Sequence, residues 1–223
     1  MSPHIPAAQK EVEGFPALLD HILLGCNDLD RGIAFVEEHT GVRAAFGGVH
    51  PGRGTQNALL SLGERRYLEI IAPDPKQANV GQYSVIANLK EPRLIGWAAH
   101  RDDLEQFAAQ LRKEGVEFEG PQPGSRQRPD GKLLRWKALR LKNDHGGLLP
   151  FFIEWRKDSV HPWVDAPKGC MLQRFEVNTP QTEDLLYAAS RVQLDLRTLS
   201  STTNEPALKA TISSPKGEFS ISG

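Results

Sequence analysis

Apolar and polar positions along the chain change period in a fixed order, and that order occurs twice. Residues 18–25 form a mostly apolar run of strand length, as expected for a largely buried strand. Asp28-Leu29-Asp30-Arg31 then opens a helical stretch carrying Ile33, Phe35 and Val36, which Thr40-Gly41 ends. Its acidic first turn suits the helix dipole. Strand patterns follow at 42–49, 57–62 and 67–72, parted by the turns Pro51-Gly52-Arg53-Gly54 and Gly63-Glu64-Arg65-Arg66. The second round has a strand at 94–99 and a helix at 103–114 with Leu104, Phe107, Ala108 and Leu111 on one stripe. Another strand begins at Val116-Glu117-Phe118. Residues 120–131 hold three prolines and three glycines, which predicts a loop. A hairpin of 133–141 with 148–155 turns around 143–147.

Segment 19–29 aligns with 94–104, and the copies end alike in Tyr67-Leu68-Glu69-Ile70-Ile71 and Phe151-Phe152-Ile153-Glu154-Trp155, each with a glutamate inside a run of strand composition. The chain therefore reads as an α+β protein built from two βαβββ modules. A duplicated unit commonly builds a cavity between its copies, here one lined by His21, Glu69 and Glu154. The predicted organisation is a polar tail over 1–16, a first module over 17–75, a crossover over 76–92 and a second module over 93–157. A partial βαββ extension covers 158–223, with a strand at 171–177, a helix at 182–192 capped by Thr182, and a hairpin of 207–213 with 218–222. The extension lacks a counterpart of Glu69 and is expected to be structural or to cover an edge or mouth of the cavity.

Of the 223 residues, 39% are hydrophobic and 25% charged, with 27 Lys and Arg against 28 Asp and Glu. This near balance removes the electrostatic case for nucleic acid or an anionic membrane, and small molecules are the expected partners. No apolar run is long enough to span a bilayer and residues 1–13 have no secretory pattern, so the expected location is cytoplasmic. The two cysteines, Cys26 and Cys170, suit buried reduced thiols.

Leu19-Asp20-His21-Ile22, the segment Gly47-Gly48-Val49-His50-Pro51-Gly52-Arg53-Gly54-Thr55-Gln56-Asn57, and Tyr67-Leu68-Glu69-Ile70-Ile71-Ala72-Pro73 together resemble the glyoxalase-like proteins of the vicinal oxygen chelate superfamily. The likeness runs from about residue 18 to 155 and, weakly, into the extension. It implies paired βαβββ modules forming a cupped mixed sheet that holds a divalent metal, with substrates binding through oxygen. His21, Glu69 and Glu154 fall at ligand positions, whereas Gly96 stands where many members carry a further ligand. The implied ion is Mn, Mg, Fe, Ni or Zn, and the implied activity is of isomerase or lyase type. The superfamily also contains metal-free drug-sequestering proteins and ring-cleaving dioxygenases, and a homodimer is compatible with it.

On a strand, Tyr67, Glu69 and Ile71 share one face while Leu68 and Ile70 share the other. A carboxylate on an otherwise apolar face must be paired, protonated or metal-bound. Arg65, Arg66, Arg135 and Lys137 are possible partners, so metal binding and an ion-paired polar core both remain open. His50 is a candidate ligand or proton shuttle, with Glu154 as a second catalytic candidate, and also a candidate exposed turn residue. Arg53, Asn57 and His100 are candidate substrate contacts. Trp97 and Trp136 are expected in the core or an interface.

Overall fold

The computed structural model describes residues 14–77, 84–196, 199–200 and 205–223. Most of the polar tail, part of the crossover and a short stretch of the extension lie outside them. The first module runs β1 (Leu19–Gly25), α1 (Leu29–Thr40), β2 (Ala45–His50), β3 (Thr55–Ser61) and β4 (Tyr67–Pro73). After a 3-10 turn at Ser84–Asn88 come β5 (Arg93–His100), α2 (Leu104–Lys113), β6 (Phe118–Gln127), β7 (Leu133–Leu141) and β8 (Phe151–Trp155). The two modules close into one barrel in the order β1-β4-β3-β2-β6-β7-β8-β5. One junction between them is broad, with β1 antiparallel to β5 over most of its length. The other is narrow: β2 meets β6 at Val49 and Gln127 alone.

Strand alternation sorts the side chains as expected. Tyr67, Glu69 and Ile71 face the barrel interior, while Leu68 and Ile70 join the hydrophobic core outside it. That core is completed by Ile33 and Val36 of α1 and by Phe107 and Leu111 of α2. The extension, with α3 (Pro162–Asp165), β9 (Met171–Asn178), α4 (Thr182–Arg191), β10 (Leu199–Ser200), β11 (Ala207–Ser214) and β12 (Gly217–Ser222), forms a separate sheet ordered β10-β9-β11-β12. Phe175 of β9 meets Trp97 of β5 edge-on at 5.4 Å, so this sheet packs on the outer core. Trp97 is buried and its indole N–H donates to the Leu148 carbonyl. Gly14 accepts a backbone hydrogen bond from Phe175, so the described end of the polar tail is tied to β9.

Two local expectations fail. The segment read as a loop over 120–131 is largely strand, because β6 runs to Gln127 and pairs with β7 across a bulge between Glu119 and Gln122. Prolines are tolerated there because the far edge of β6 has only one ladder partner, leaving few N–H bonds to forfeit. Gly124 is required for contact: a methyl in its place would lie 2.5 Å from the Trp136 indole. Thr182 does not cap α4 either. Gln181 holds the cap position without a side-chain capping bond, and the Thr182 hydroxyl donates back to the Thr179 carbonyl.

Helix α1 is seated by Asp28, whose carboxylate accepts the Arg31 N–H at 2.9 Å, and it ends at left-handed Gly41. Within it, Gly32 allows the close approach to the sheet. A methyl there would stand 2.6 Å from both the Cys26 sulfur and an Ile70 methyl. Gly to Ala in a helix interior ordinarily stabilises by about 1 kcal/mol. Here the sign reverses, and Gly32→Ala is expected to destabilise by about 1–3 kcal/mol through overpacking, measured as a lower urea midpoint at unchanged slope.

Candidate active site

The barrel interior encloses a cavity of about 50 Å³. His21 of β1, His50 at the end of β2, Asn57 of β3, and Tyr67 and Glu69 of β4 form one wall, and Arg53 of the β2–β3 turn adds a cation. The second module contributes no carboxylate to the lining. It supplies Arg126, Arg140, Trp136, Phe151 and Trp155.

Glu69 is 8% exposed and organises the wall. Asn57 donates its amide to Oε1 at 2.7 Å, His21 Nε2 stands 3.4 Å from Oε2, and His50 Nε2 lies 3.7 Å from Oε1. Arg126 donates to the other end of the Asn57 amide at 2.8 Å, so its charge is relayed toward Glu69 through a side-chain dipole. Burial raises the Glu69 pKa, but the two imidazoles, the Asn57 amide and Arg126 outweigh it and hold the carboxyl below its ordinary value. Glu69 is therefore ionised at neutral pH.

His21 is oriented from behind. The β1–β5 register shifts between Leu19 and His21, and a bulge of this kind re-aims a side chain. Asp20 Oδ1 lies 2.7 Å from His21 Nδ1. Its other oxygen accepts from Trp155 Nε1 at 3.0 Å and meets His161 Nε2 at 3.0 Å. Desolvation opposes the charge on Asp20, yet contacts with His100, His161 and His21 hold its pKa well below the ordinary carboxylate value. An ionised Asp20 accepts from His21 Nδ1, and Nε2 is the nitrogen that faces Glu69. The Tyr67 ring stacks on His21 at 4.5 Å.

Of the residues singled out from sequence, His21, His50, Arg53, Asn57 and Glu69 converge on this cavity. Glu154 does not. It lies on the opposite face of β8 from Phe151, Ile153 and Trp155, and its Oε2 accepts the Leu104 N–H at 2.9 Å. Its carboxylate caps α2, whose own cap residue Asp103 makes no side-chain capping bond, and the helix dipole favours it there. His100 is also absent from the lining, standing between Asp20 at 3.5 Å and exposed Asp102 at 3.0 Å. Gly96 opens on a neighbouring cavity. His50 is a buried wall residue, with its Nδ1 2.9 Å from the Thr55 hydroxyl, and not an exposed turn residue. Trp136 lines the cavity instead of the core. Arg65, Arg66, Arg135 and Lys137 are not what holds Glu69, and Lys137 pairs with Glu105.

The metal set His21, Glu69 and Glu154 does not fit this geometry, because Glu154 points away and guanidinium and aromatic groups face the remaining pair. Among the described residues, no group of three or more His, Cys, Asp or Glu side chains is placed to hold a metal ion. Sequence reasoning missed Asp20, Arg126 and His161. Asp20 carried the same signal as Glu69, a carboxylate inside an apolar strand run.

Histidine titration gives the fold a pH dependence. Burial, opposed by Glu69 and reinforced by the nearby arginines, pushes the His50 pKa down to about 4. The folded protein thus leaves His50 neutral where the unfolded chain protonates it, and stability falls as pH drops from about 6.5 to about 4. His100 has the opposite sign: Asp20 raises its pKa, so its contribution is full below about 6.5 and is lost as pH rises through the folded value. His50→Gln should flatten the acid limb of the urea midpoint against pH, by at most about 1.4 kcal/mol per pH unit. His100→Gln should flatten the limb above about 6.5.

None of the curated proteins compared with the chain matches it. A hypothetical protein from Staphylococcus aureus shares the fold with a TM-score of 0.65 at 18% identity, over 91% of this chain and 84% of that one. The methylmalonyl-CoA epimerase of Mycobacterium tuberculosis aligns at 22% identity and a TM-score of 0.46, over 67% of this chain and 94% of its own. A Streptomyces coelicolor methylmalonyl-CoA epimerase variant in complex with 2-nitronate-propionyl-CoA gives 22% identity and 0.49, over 65% and 99%. The family model for the glyoxalase-like domain matches residues 19–192, spanning both modules and the first part of the extension. The chain belongs to the glyoxalase-like domain family.

Proposed function

We propose that the protein is an enzyme of isomerase type that moves a proton on a small oxygenated anion, with Glu69 as the base. The observation that carries this reading is an ionised, buried carboxylate set between two imidazoles in a cavity whose other lining groups include three arginines. Guanidinium groups favour a carboxylate or enolate oxygen. A carboxylate held at the cavity wall suits abstraction of an adjacent C–H proton.

The chain's own residues supply the sequence of roles. Glu69 Oε2, not engaged by Asn57, takes the proton and faces His21 Nε2 at 3.4 Å. His21 is held in that position by Asp20 against Nδ1, and Glu69 returns the proton to the substrate carbon. His50, kept neutral, serves as a polar contact for substrate oxygen while Arg126 and Arg140 offset the negative charge that develops. No step is assigned to a metal, since the donor set does not fit one. The acid–base pair and its cations account for the roles.

Three outcomes check this reading. Glu69→Gln should lower the loss of the C3 proton signal of 2-oxobutanoate in D2O, followed by NMR, by a factor of about 100 or more, while urea unfolding still reports a folded protein. Binding without exchange in the unaltered protein would assign it instead to ligand sequestration. Dialysis against a chelator should leave the exchange rate unchanged, and a loss restored by one divalent ion would return a metal to the mechanism. Glu154→Gln should preserve exchange while lowering stability by about 0.5–1 kcal/mol, the scale of one helix-terminal charge interaction.

A further inference from the structure

A second cavity of about 560 Å³ adjoins the first. Its floor is apolar and buried, formed by Leu23, Ile86, Trp97 and Leu149. Its exposed rim carries Glu119, Lys142 and Asp144. Arg140 and Phe151 line both cavities, and the Arg140 guanidinium lies over the Phe151 ring at 4.4 Å. That stacked pair stands between them. The two volumes differ in kind. At about 50 Å³, the cavity beside Glu69 falls well below the range of about 300–1,000 Å³ usual for pockets that enclose a whole ligand, whereas the second falls within it.

We infer that the substrate is an amphiphile whose oxygenated head reaches Glu69 and whose apolar tail lies in the second cavity, with Arg140 and Phe151 at the junction. This rests on the active-site reading above. The occupant follows from the two linings: the first cavity offers cations and hydrogen-bonding groups but little room, and the second offers room and apolar surface. A guanidinium at this boundary sits where the anionic end of such a molecule would give way to its hydrocarbon. Gly96 contributes to the same arrangement, since no atom lies within 4 Å of where its side chain would begin. The space where the family pattern implies a ligand is thus part of the tail cavity.

The test uses the full chain and unbranched 2-oxo carboxylates from 2-oxobutanoate to 2-oxododecanoate, with affinities measured by isothermal titration calorimetry. Affinity should rise about fourfold per added methylene until the cavity is filled, the increment of one buried methylene. Ile95→Trp, which adds bulk at a half-buried lining position, should flatten that dependence while leaving 2-oxobutanoate affinity within about twofold. Val85→Asp, at an exposed margin of the same cavity, should weaken the long-chain members selectively even if Ile95→Trp fails to fold. Affinity independent of chain length, or a dependence that survives both variants, overturns the tail cavity. Proton exchange on 2-oxobutanoate separates this from the active-site reading. Exchange with a flat chain-length series removes the tail cavity alone, and a steep series abolished by the variants but without exchange upholds the cavity and removes the role of Glu69.

Discussion

A charged Glu69 inside a barrel of apolar strands is the constraint around which the interior is arranged. Isolated, such a carboxylate would neutralise or destabilise the fold by several kcal/mol. Its charge persists because neighbours on β1, β2 and β3 aim at it, with Arg126 of β6 reinforcing through Asn57. The contributors come from both modules. Barrel closure and the charge state of the site are consequently one problem, since separating the strands would remove the groups that keep the carboxylate ionised.

Duplication explains the architecture better than it explains the chemistry. Each module carries a glutamate in its last strand, third in β4 and fourth in β8, and the two side chains do different work. Glu69 faces the interior, while Glu154 faces outward to the start of α2. The interior of the second module holds Arg126, Arg140, Trp136, Phe151 and Trp155. One half of the barrel therefore resembles an acid–base wall and the other a binding wall for an anion with a flat or apolar body.

Much of this was legible in the sequence. Helix starts at Asp28 and Asp103, the strand runs, and the in-and-out alternation around Glu69 follow from local periodicity and turn chemistry, and these features do not need distant contacts. His21 and Glu69 were singled out by the repeat and the family resemblance, and His50, Arg53 and Asn57 by the turn between β2 and β3, whereas their common cavity is a tertiary feature. What was hidden depended on tertiary context. The repeat implied that Glu154 mirrors Glu69, but Glu154 stands one position further along its strand, which reverses its face, and its carboxylate meets the Leu104 N–H at the start of α2. Arg126 was concealed inside a segment whose prolines signalled a loop, because a sequence cannot reveal that one edge of β6 would have little to pair with. Asp20 was passed over beside His21, since regular alternation would have sent the two to opposite faces.

The narrow junction between β2 and β6 has a consequence for motion. One ladder pair, Val49 with Gln127, joins the modules on that side, against a broad junction on the other, and the Arg126 to Asn57 bond spans β6 and β3 across it. Local opening of a barrel follows the seam with the fewest bonds. A ligand that draws on Arg126 therefore shares a residue with the stitch that keeps the seam shut, so occupancy of the site and breathing of the barrel are thermodynamically linked.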